Sequence, residues 1–225
     1  MSKIYIPATS PDQWKQFLAD PDKHWKKGYS ARTLAYCWQS PEGFPKEIKT
    51  ALSSFAGFNE IEMLLAIPEH QVPLHGGSRP SQNDIWVLAR AGKNLVSITV
   101  EGKVSESFGP TIEEWYKDGS SGKKVRLDYL CSKLNLKQPL PDGLRYQFLH
   151  RTASAIIEAE RFNASHAIML VHSFSQSDEC FQDYAEFISL FGKEVSVGRL
   201  VSIGTYSNIS LHCAWVRGEA SFLEH

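Results

Sequence analysis

The segment DIWVLAR-AGKN-LVSITVEGK, residues 84–103, constrains the fold more than any other part of the chain. Two runs rich in Ile, Val, Leu, Trp and Thr flank a short Gly/Asn turn, the pattern of an antiparallel hairpin. Side chains alternate along a strand, so Val96, Ile98 and Val100 share one face while Ser97, Thr99, Glu101 and Lys103 share the other. A turn at residues 91–94 sets Asp84, at the start of the first strand, opposite Glu101, near the end of the second. Directly opposed residues have Cβ atoms about 5 Å apart. Two carboxylates that close repel unless a cation lies between them, and oxygen donors of this kind suit Mg2+ or Mn2+. Lys103 follows on the same face, placed to hold a water or stabilise a developing anion. The plainer alternative is a charge-balanced cluster on a solvated sheet face, and spacing alone leaves both open.

Upstream of the hairpin the chain reads as helices. TSPDQWKQFLAD offers Ser10 as a cap and Pro11 at the first helical position, ahead of apolar Trp14, Phe17 and Leu18. SARTLAYCWQS, with Ser30 as cap, and PKEIKTALSSF follow, and NEIEMLLAI forms a fourth helix stopped by Pro68. The loop HGGSRPSQND then delivers the chain to Asp84. Beyond the hairpin, TIEEWYKD and VRLDYLCSKLNL are helical on either side of a flexible GSSGKK turn. GLRYQFLHRTASAIIEAERF is the strongest helix, with Leu149, Ala153, Ile156 and Ile157 at helical spacing. HAIMLVHSF reads as a strand buried on both faces, SDECFQDYAEFISLFG as a helix and NISLHCAWVRG as a last strand. The expected fold class is α/β (α+β): a central mixed sheet with a hairpin or meander, flanked by helices. Residues 1–57 would form an N-terminal helical extension packed on a core of residues 58–225, all within one domain.

Composition removes several functional classes. With 225 residues, 42% hydrophobic and 22% charged, the chain has the make-up of a soluble globular protein. Its net charge of −1 excludes coating of nucleic acid by bulk positive charge, so any such binding needs a local patch. Cys37, Cys131, Cys180 and Cys213 are scattered, with no C-x-x-C pair, as expected of reduced thiols in a cytoplasm. No signal-peptide core and no apolar run near ~18 residues is present, so no membrane partner is expected. GSSGKK lacks the spacing and the preceding strand of a phosphate loop. HGG has no G-x-S-x-G to supply a nucleophile. His172, at the end of an apolar strand, reads as a hydrogen-bonded core histidine, and KHWKK (residues 23–27) as a solvated helix end, strand contact through Trp25 being the alternative.

An Asp opening one strand and Glu-x-Lys on the next, here NDIWVLARAGKNLVSITVEGK, resembles the PD-(D/E)XK nuclease superfamily, the restriction-endonuclease-like fold. In that superfamily the core runs helix, β-meander, helix, strand, which residues 58–172 can match. The resemblance implies Asp84 and Glu101 as metal ligands, the Gly102 carbonyl as a third, and Lys103 as the residue that positions the attacking water. It implies an acidic residue on the preceding helix, for which Glu62 and Glu69 are the candidates, and a polar residue on the following helix, for which Gln147 is similar in kind. Arg79, Ser81 and Gln82 in the loop, with Arg145 and Arg151 on the long helix, are the candidate nucleic-acid contacts. The implied activity is Mg2+- or Mn2+-dependent phosphodiester hydrolysis, with DNA the default substrate. The rival expectation is a catalytically inactive module of the same fold that binds nucleic acid or protein. A homodimer or a partner protein that supplies affinity stays open.

Overall fold

The computed structural model describes residue 4 and residues 8–225; residues 1–3 and 5–7 of the expected N-terminal extension lie outside the described residues. The strands are β1 (Glu62–Val72), β2 (Ser81–Ala91), β3 (Asn94–Lys103), β4 (His166–Ser173), β5 (Leu200–Tyr206) and β6 (Ile209–Arg217). They form one six-stranded mixed sheet in the order β1-β2-β3-β4-β6-β5. The helices are α1 (Pro21–His24), α2 (Ser30–Gln39), α3 (Lys46–Ser53), α4 (Ile112–Tyr116), α5 (Ser121–Lys133), α6 (Tyr146–Arg161) and α7 (Phe181–Ser189). This is the expected class of fold, a mixed sheet flanked by helices. No helix among the described residues is long and apolar enough to cross a membrane.

Strands β1, β2 and β3 make an antiparallel meander, whereas β4 runs parallel to both β3 and β6. The hairpin has the register expected from its turn: Ile85 opposes Val100, Val87 opposes Ile98 and Ala91 opposes Asn94. Each sheet face buries its own core. On one side Trp14, Leu34, Trp38, Ile48 and Leu52 of the N-terminal segments pack on Ile85, Val87, Ile98, Val100 and Leu170. On the other, Leu149, Ala153 and Ile156 of α6, with residues of α5 and α7, cover Met169, Val171, Cys213 and Trp215.

Several elements differ from the sequence reading, each for a physical reason. NEIEMLLAI is not a helix; most of it is the first half of β1, because its apolar run covers the edge of β2. Pro68 is tolerated there because β1 is an edge strand, whose outer N–H groups need no ladder partner. Strand β5 carries a bulge between Ser202 and Gly204 that breaks its alternation, and it is absent from the sequence reading. Its local signal is Ser207-Asn208, both at positive φ, the two-residue turn that joins it to β6. The first segment is a 3-10 helix, Pro11–Phe17, and Ser30 lies one residue inside α2 rather than capping it. GSSGKK is not a free turn, since Ser121 onward is the start of α5. Arg126, within that helix, donates to the carbonyls of Leu74, His75 and Gly77 and fixes the loop that leads into β2. Gly76 lets the loop lie this close to α5, because a Cβ there would collide with the backbone nitrogen of Arg126 and the carbonyl of Gly122.

The N-terminal helices are tied to the sheet through His172, which is buried and hydrogen-bonded as expected of a core histidine. Trp38 Nε1 of α2 donates to His172 Nδ1 at 3.0 Å, and Glu47 Oε1 of α3 lies 3.1 Å from His172 Nε2. Replacing Trp38 by Phe keeps an aromatic ring in the core but leaves Nδ1 without a donor. That change should cost about 1–3 kcal/mol, read as a lower urea midpoint, and an unchanged midpoint would count against this tie.

Candidate functional site

The polar face of β3 is buried under α6, where Thr99 Oγ1 donates to the Arg151 carbonyl at 3.1 Å. At the end of that strand stands Glu101, 4% exposed, with both carboxylate oxygens engaged. Oε1 accepts from Gln147 Nε2 at 2.7 Å and from Lys103 Nζ at 2.9 Å. Oε2 accepts from Arg151 Nε at 2.5 Å. Lys103 also approaches the Ser107 carbonyl at 3.5 Å and lies 4.7 Å from the centre of the Phe108 ring.

The ladder ends at Ile85 and Val100, and its register continued by one residue sets Asp84 across from Glu101. Asp84 Oδ2 accepts from the Gly102 N–H at 2.7 Å. In an extended strand a residue's N–H and C=O point to the same side, so the Gly102 carbonyl turns toward β2 as well. A Cβ at Gly102 would sit 3.1 Å from Leu34 of α2 and 3.4 Å from Asp84, and glycine lets both close in. On β1, Pro68 opposes Ile85 and His70 opposes Asn83, which places Glu69 beside Asp84. Glu69 has φ +52°, a left-handed conformation that costs a residue with a Cβ about 1–2 kcal/mol. Its Oε2 accepts from Gln82 Nε2 at 2.6 Å. Three adjacent strands thus contribute Glu69, Asp84 and Glu101 in a row.

These groups form the floor of a cleft of about 660 Å³. Glu69, Gln82, Asp84, Glu101, Gly102, Lys103, Gln147 and Arg151, all singled out from the sequence, line it together. The structure separates the other candidates from it. Glu62 pairs with Arg90 at 2.8 Å near the opposite end of the sheet. Because β1 is extended, the seven residues from Glu62 to Glu69 span roughly 23 Å at ~3.3 Å each, so Glu62 cannot share the site. Arg79 is exposed on the loop and does not line the cleft. Ser81 is buried, its Oγ 2.8 Å from His150 Nδ1 and accepting from Arg151 Nη1 at 3.1 Å, out of reach of a nucleic acid. Arg145 turns away to Asp183 at 3.0 Å and to the Gly109 carbonyl at 2.9 Å. Arg151 is committed to Glu101 rather than presented to a phosphate. Lys23, His24, Lys26, Tyr29 and Glu106 also line the cleft. Lys23, His24 and Lys26 belong to KHWKK, expected to be a solvated helix end, whereas no sequence feature pointed to Tyr29 or Glu106.

Charge divides the floor into two halves. Burial pushes Glu101 up, but the Arg151 and Lys103 charges outweigh it and hold its carboxyl down at about 2. Burial likewise lowers Lys103 and Arg151, and Glu101 and Asp84 more than reverse this, so both stay cationic. Asp84 has no such neighbour in contact: burial, then Glu101 and Glu69, raise it well above the usual aspartate range. Burial raises Glu69 to about 7. Glu69 and Asp84, both raised, therefore make with the Gly102 carbonyl beside them an oxygen-rich half, a donor set suited to a hard divalent ion.

A second group has ligand-like composition. Among the described residues, Cys37, Glu47 and His172 bring their ligand atoms within 4.8 Å of one another, closer than Glu69, Asp84 and Glu101 converge. The tautomer argues against a metal there. Trp38 can only donate, so Nδ1 of His172 must accept and the ring proton lies on Nε2, directed at Glu47. Burial also drives the Cys37 thiol far above its usual range, away from the thiolate a metal needs.

An ordinary aspartate ionises near pH 3.9, so as pH rises past that value the unfolded chain loses a proton that folded Asp84, raised by burial, still holds. The native state thereby loses stability as pH rises above about 4 toward the raised value. Asp84→Asn should raise the melting temperature in EDTA, more at pH 8 than at pH 5, by about 2–4 °C per kcal/mol recovered. Equal gains at the two pH values would contradict this assignment.

No curated protein and no solved structure matches the chain. The model of one family, described as Domain of unknown function (DUF6946), matches residues 7–220, nearly the whole length, and the chain belongs to that family.

Proposed function

We propose that the protein is a divalent-metal-dependent nuclease that hydrolyses phosphodiester bonds, with Asp84, Glu101 and Lys103 at its centre. The observation that carries the proposal is the shared cleft floor: Asp84 across from Glu101, Lys103 bonded to Glu101, and Gln147 reaching in from α6. This is the set of side chains that the resemblance to the PD-(D/E)XK superfamily implies. The order meander, helix, parallel strand is compatible with that superfamily's core. Glu69, on a strand rather than a helix, takes the role of the additional acid.

Mg2+ or Mn2+ held by Asp84, Glu69 and the Gly102 carbonyl, beside Glu101, would supply a Lewis acid that activates water and offsets phosphate charge. Lys103, kept cationic by Glu101, holds the attacking water or meets the charge developing on the phosphate. Gln147 and Arg151 fix the orientation of Glu101, and Arg151 keeps it ionised. DNA is the default substrate by analogy with the superfamily. Free thiols at Cys37, Cys131, Cys180 and Cys213 agree with a cytoplasmic location.

A second reading, a catalytically inactive module of the same fold that binds nucleic acid or protein, draws on the full engagement of Glu101 by Lys103, Gln147 and Arg151. Cleavage of plasmid and of labelled DNA and RNA oligonucleotides with Mg2+ or Mn2+ separates the two. On the nuclease reading wild type cuts, Glu101→Gln and Lys103→Ala lose at least about 100-fold, and Glu62→Gln, remote from the cleft, retains activity. Asp84→Ala should abolish Mn2+ binding seen by calorimetry. A wild type that cuts no nucleic acid and binds neither metal rejects the nuclease and leaves the binding module.

A further inference from the structure

The cleft has a wall as distinctive as its floor. Residues 18–31, from the end of the 3-10 helix through α1 to the start of α2, form the side facing Asp84 and Glu101. Lys23, His24 and Lys26 are exposed on it. Their neighbour Lys27 is paired with Glu224 at 3.0 Å, whereas among the described residues neither Lys23 nor Lys26 has an ion-pair partner. Tyr29 stands beside them, 42% exposed and, among the described residues, one of two large hydrophobic side chains so exposed, with Lys26 Nζ 5.7 Å from its ring centre. Trp25, the aromatic that the sequence singled out, packs instead against the core.

This wall is fastened to the floor by one carboxylate. Glu106 Oε1 accepts from the Ser30 N–H at 2.9 Å, and its Oε2 accepts from the Val104 N–H at 2.7 Å, directly after Lys103. Burial raises Glu106, but these hydrogen bonds outweigh it and hold the carboxyl below its usual range, so it remains a charged acceptor.

We infer that this wall binds one unpaired strand of nucleic acid, a base stacking on Tyr29 and phosphates meeting Lys23 and Lys26, while the chain passes over the acidic floor. The inference rests on the nuclease reading for the floor and adds the class of substrate. Three observations support it. Cations without carboxylate partners beside an exposed ring are the combination that single strands require, a charged groove with a stacking platform. Within a duplex the faces of each internal base pair are covered by its stacked neighbours, so it has no free face to lay on the ring. Glu101 and Lys103, 4% and 7% exposed, lie recessed in a cleft of about 660 Å³. A single extended strand, thinner than a duplex, is the form of nucleic acid that best fits a site so recessed.

Fluorescence anisotropy with labelled single-stranded DNA, single-stranded RNA and duplex DNA of equal length, in EDTA and in Ca2+, tests the inference. Either single strand should bind at least about tenfold more tightly than the duplex, and the two single-stranded arms decide the sugar. Tyr29→Ala should weaken binding roughly 5- to 150-fold, the loss of one base–aromatic stack, with the salt dependence unchanged. Lys23→Ala with Lys26→Ala should reduce the slope of log K against log salt by about 1.4, since each neutralised phosphate of a single strand contributes about 0.7. All three residues are exposed, and circular dichroism checks that the variants fold. Equal or tighter binding of duplex, an unaltered slope in the lysine variant, or binding of none of the three probes overturns the inference. Mn2+ binding and cleavage by wild type, lost in Asp84→Ala, report on the floor independently, so the wall can fail while the nuclease reading stands.

Discussion

The interaction on which the cleft depends is the pairing of Glu101 with two cations in an almost dry setting. A lone carboxylate at 4% exposure would be neutral or would disrupt its strand. Arg151 and Lys103 instead keep it charged, and the geometry follows from them. Arg151 binds both Glu101 and Ser81, joining α6 to β3 and β2 in one step. Removing one partner of a buried pair of this kind typically costs about 3–5 kcal/mol. The polar face of β3 is therefore a structural commitment as well as a chemical one, and α6 could not cover it without these groups.

The same pairing leaves an imbalance. Three carboxyl groups face two cations, and the two carboxyls without contact to a cation, Asp84 and Glu69, are the ones raised by burial. Glu69 adds a left-handed residue in the middle of an edge strand. Local costs of this sort are expected where a site is organised for something outside the chain. The acids gather on the floor of the cleft, and Lys23 and Lys26 stand on the wall that faces them.

Much of this was legible in the sequence where local rules govern. Alternation and a short turn fixed the register that brings Asp84 opposite Glu101, whereas Gln147 came from the resemblance, as a polar residue near the start of the helix after the hairpin. Legibility failed where tertiary pairing decides. NEIEMLLAI satisfies a helix pattern, and only the exposed edge of β2 makes it a strand. That single change selects Glu69 over Glu62. Ser81 and Arg151 have the chemistry of phosphate contacts, but burial turns them toward each other. Lys23, Lys26 and Tyr29 lie more than fifty positions from Asp84, and no local period connects them to it. Cys37, Glu47 and His172 give the reverse case, a ligand-like trio that one indole N–H makes unfit.

Glu106 carries a mechanical consequence. With one oxygen on the first residue of α2 and the other on the residue after Lys103, its carboxylate works as a spacer of fixed length between the two jaws. A jaw pinned at this point is held at a set distance from the strand that carries Lys103. On the single-strand inference, that spacer is what sets the calibre of the strand able to reach the acids.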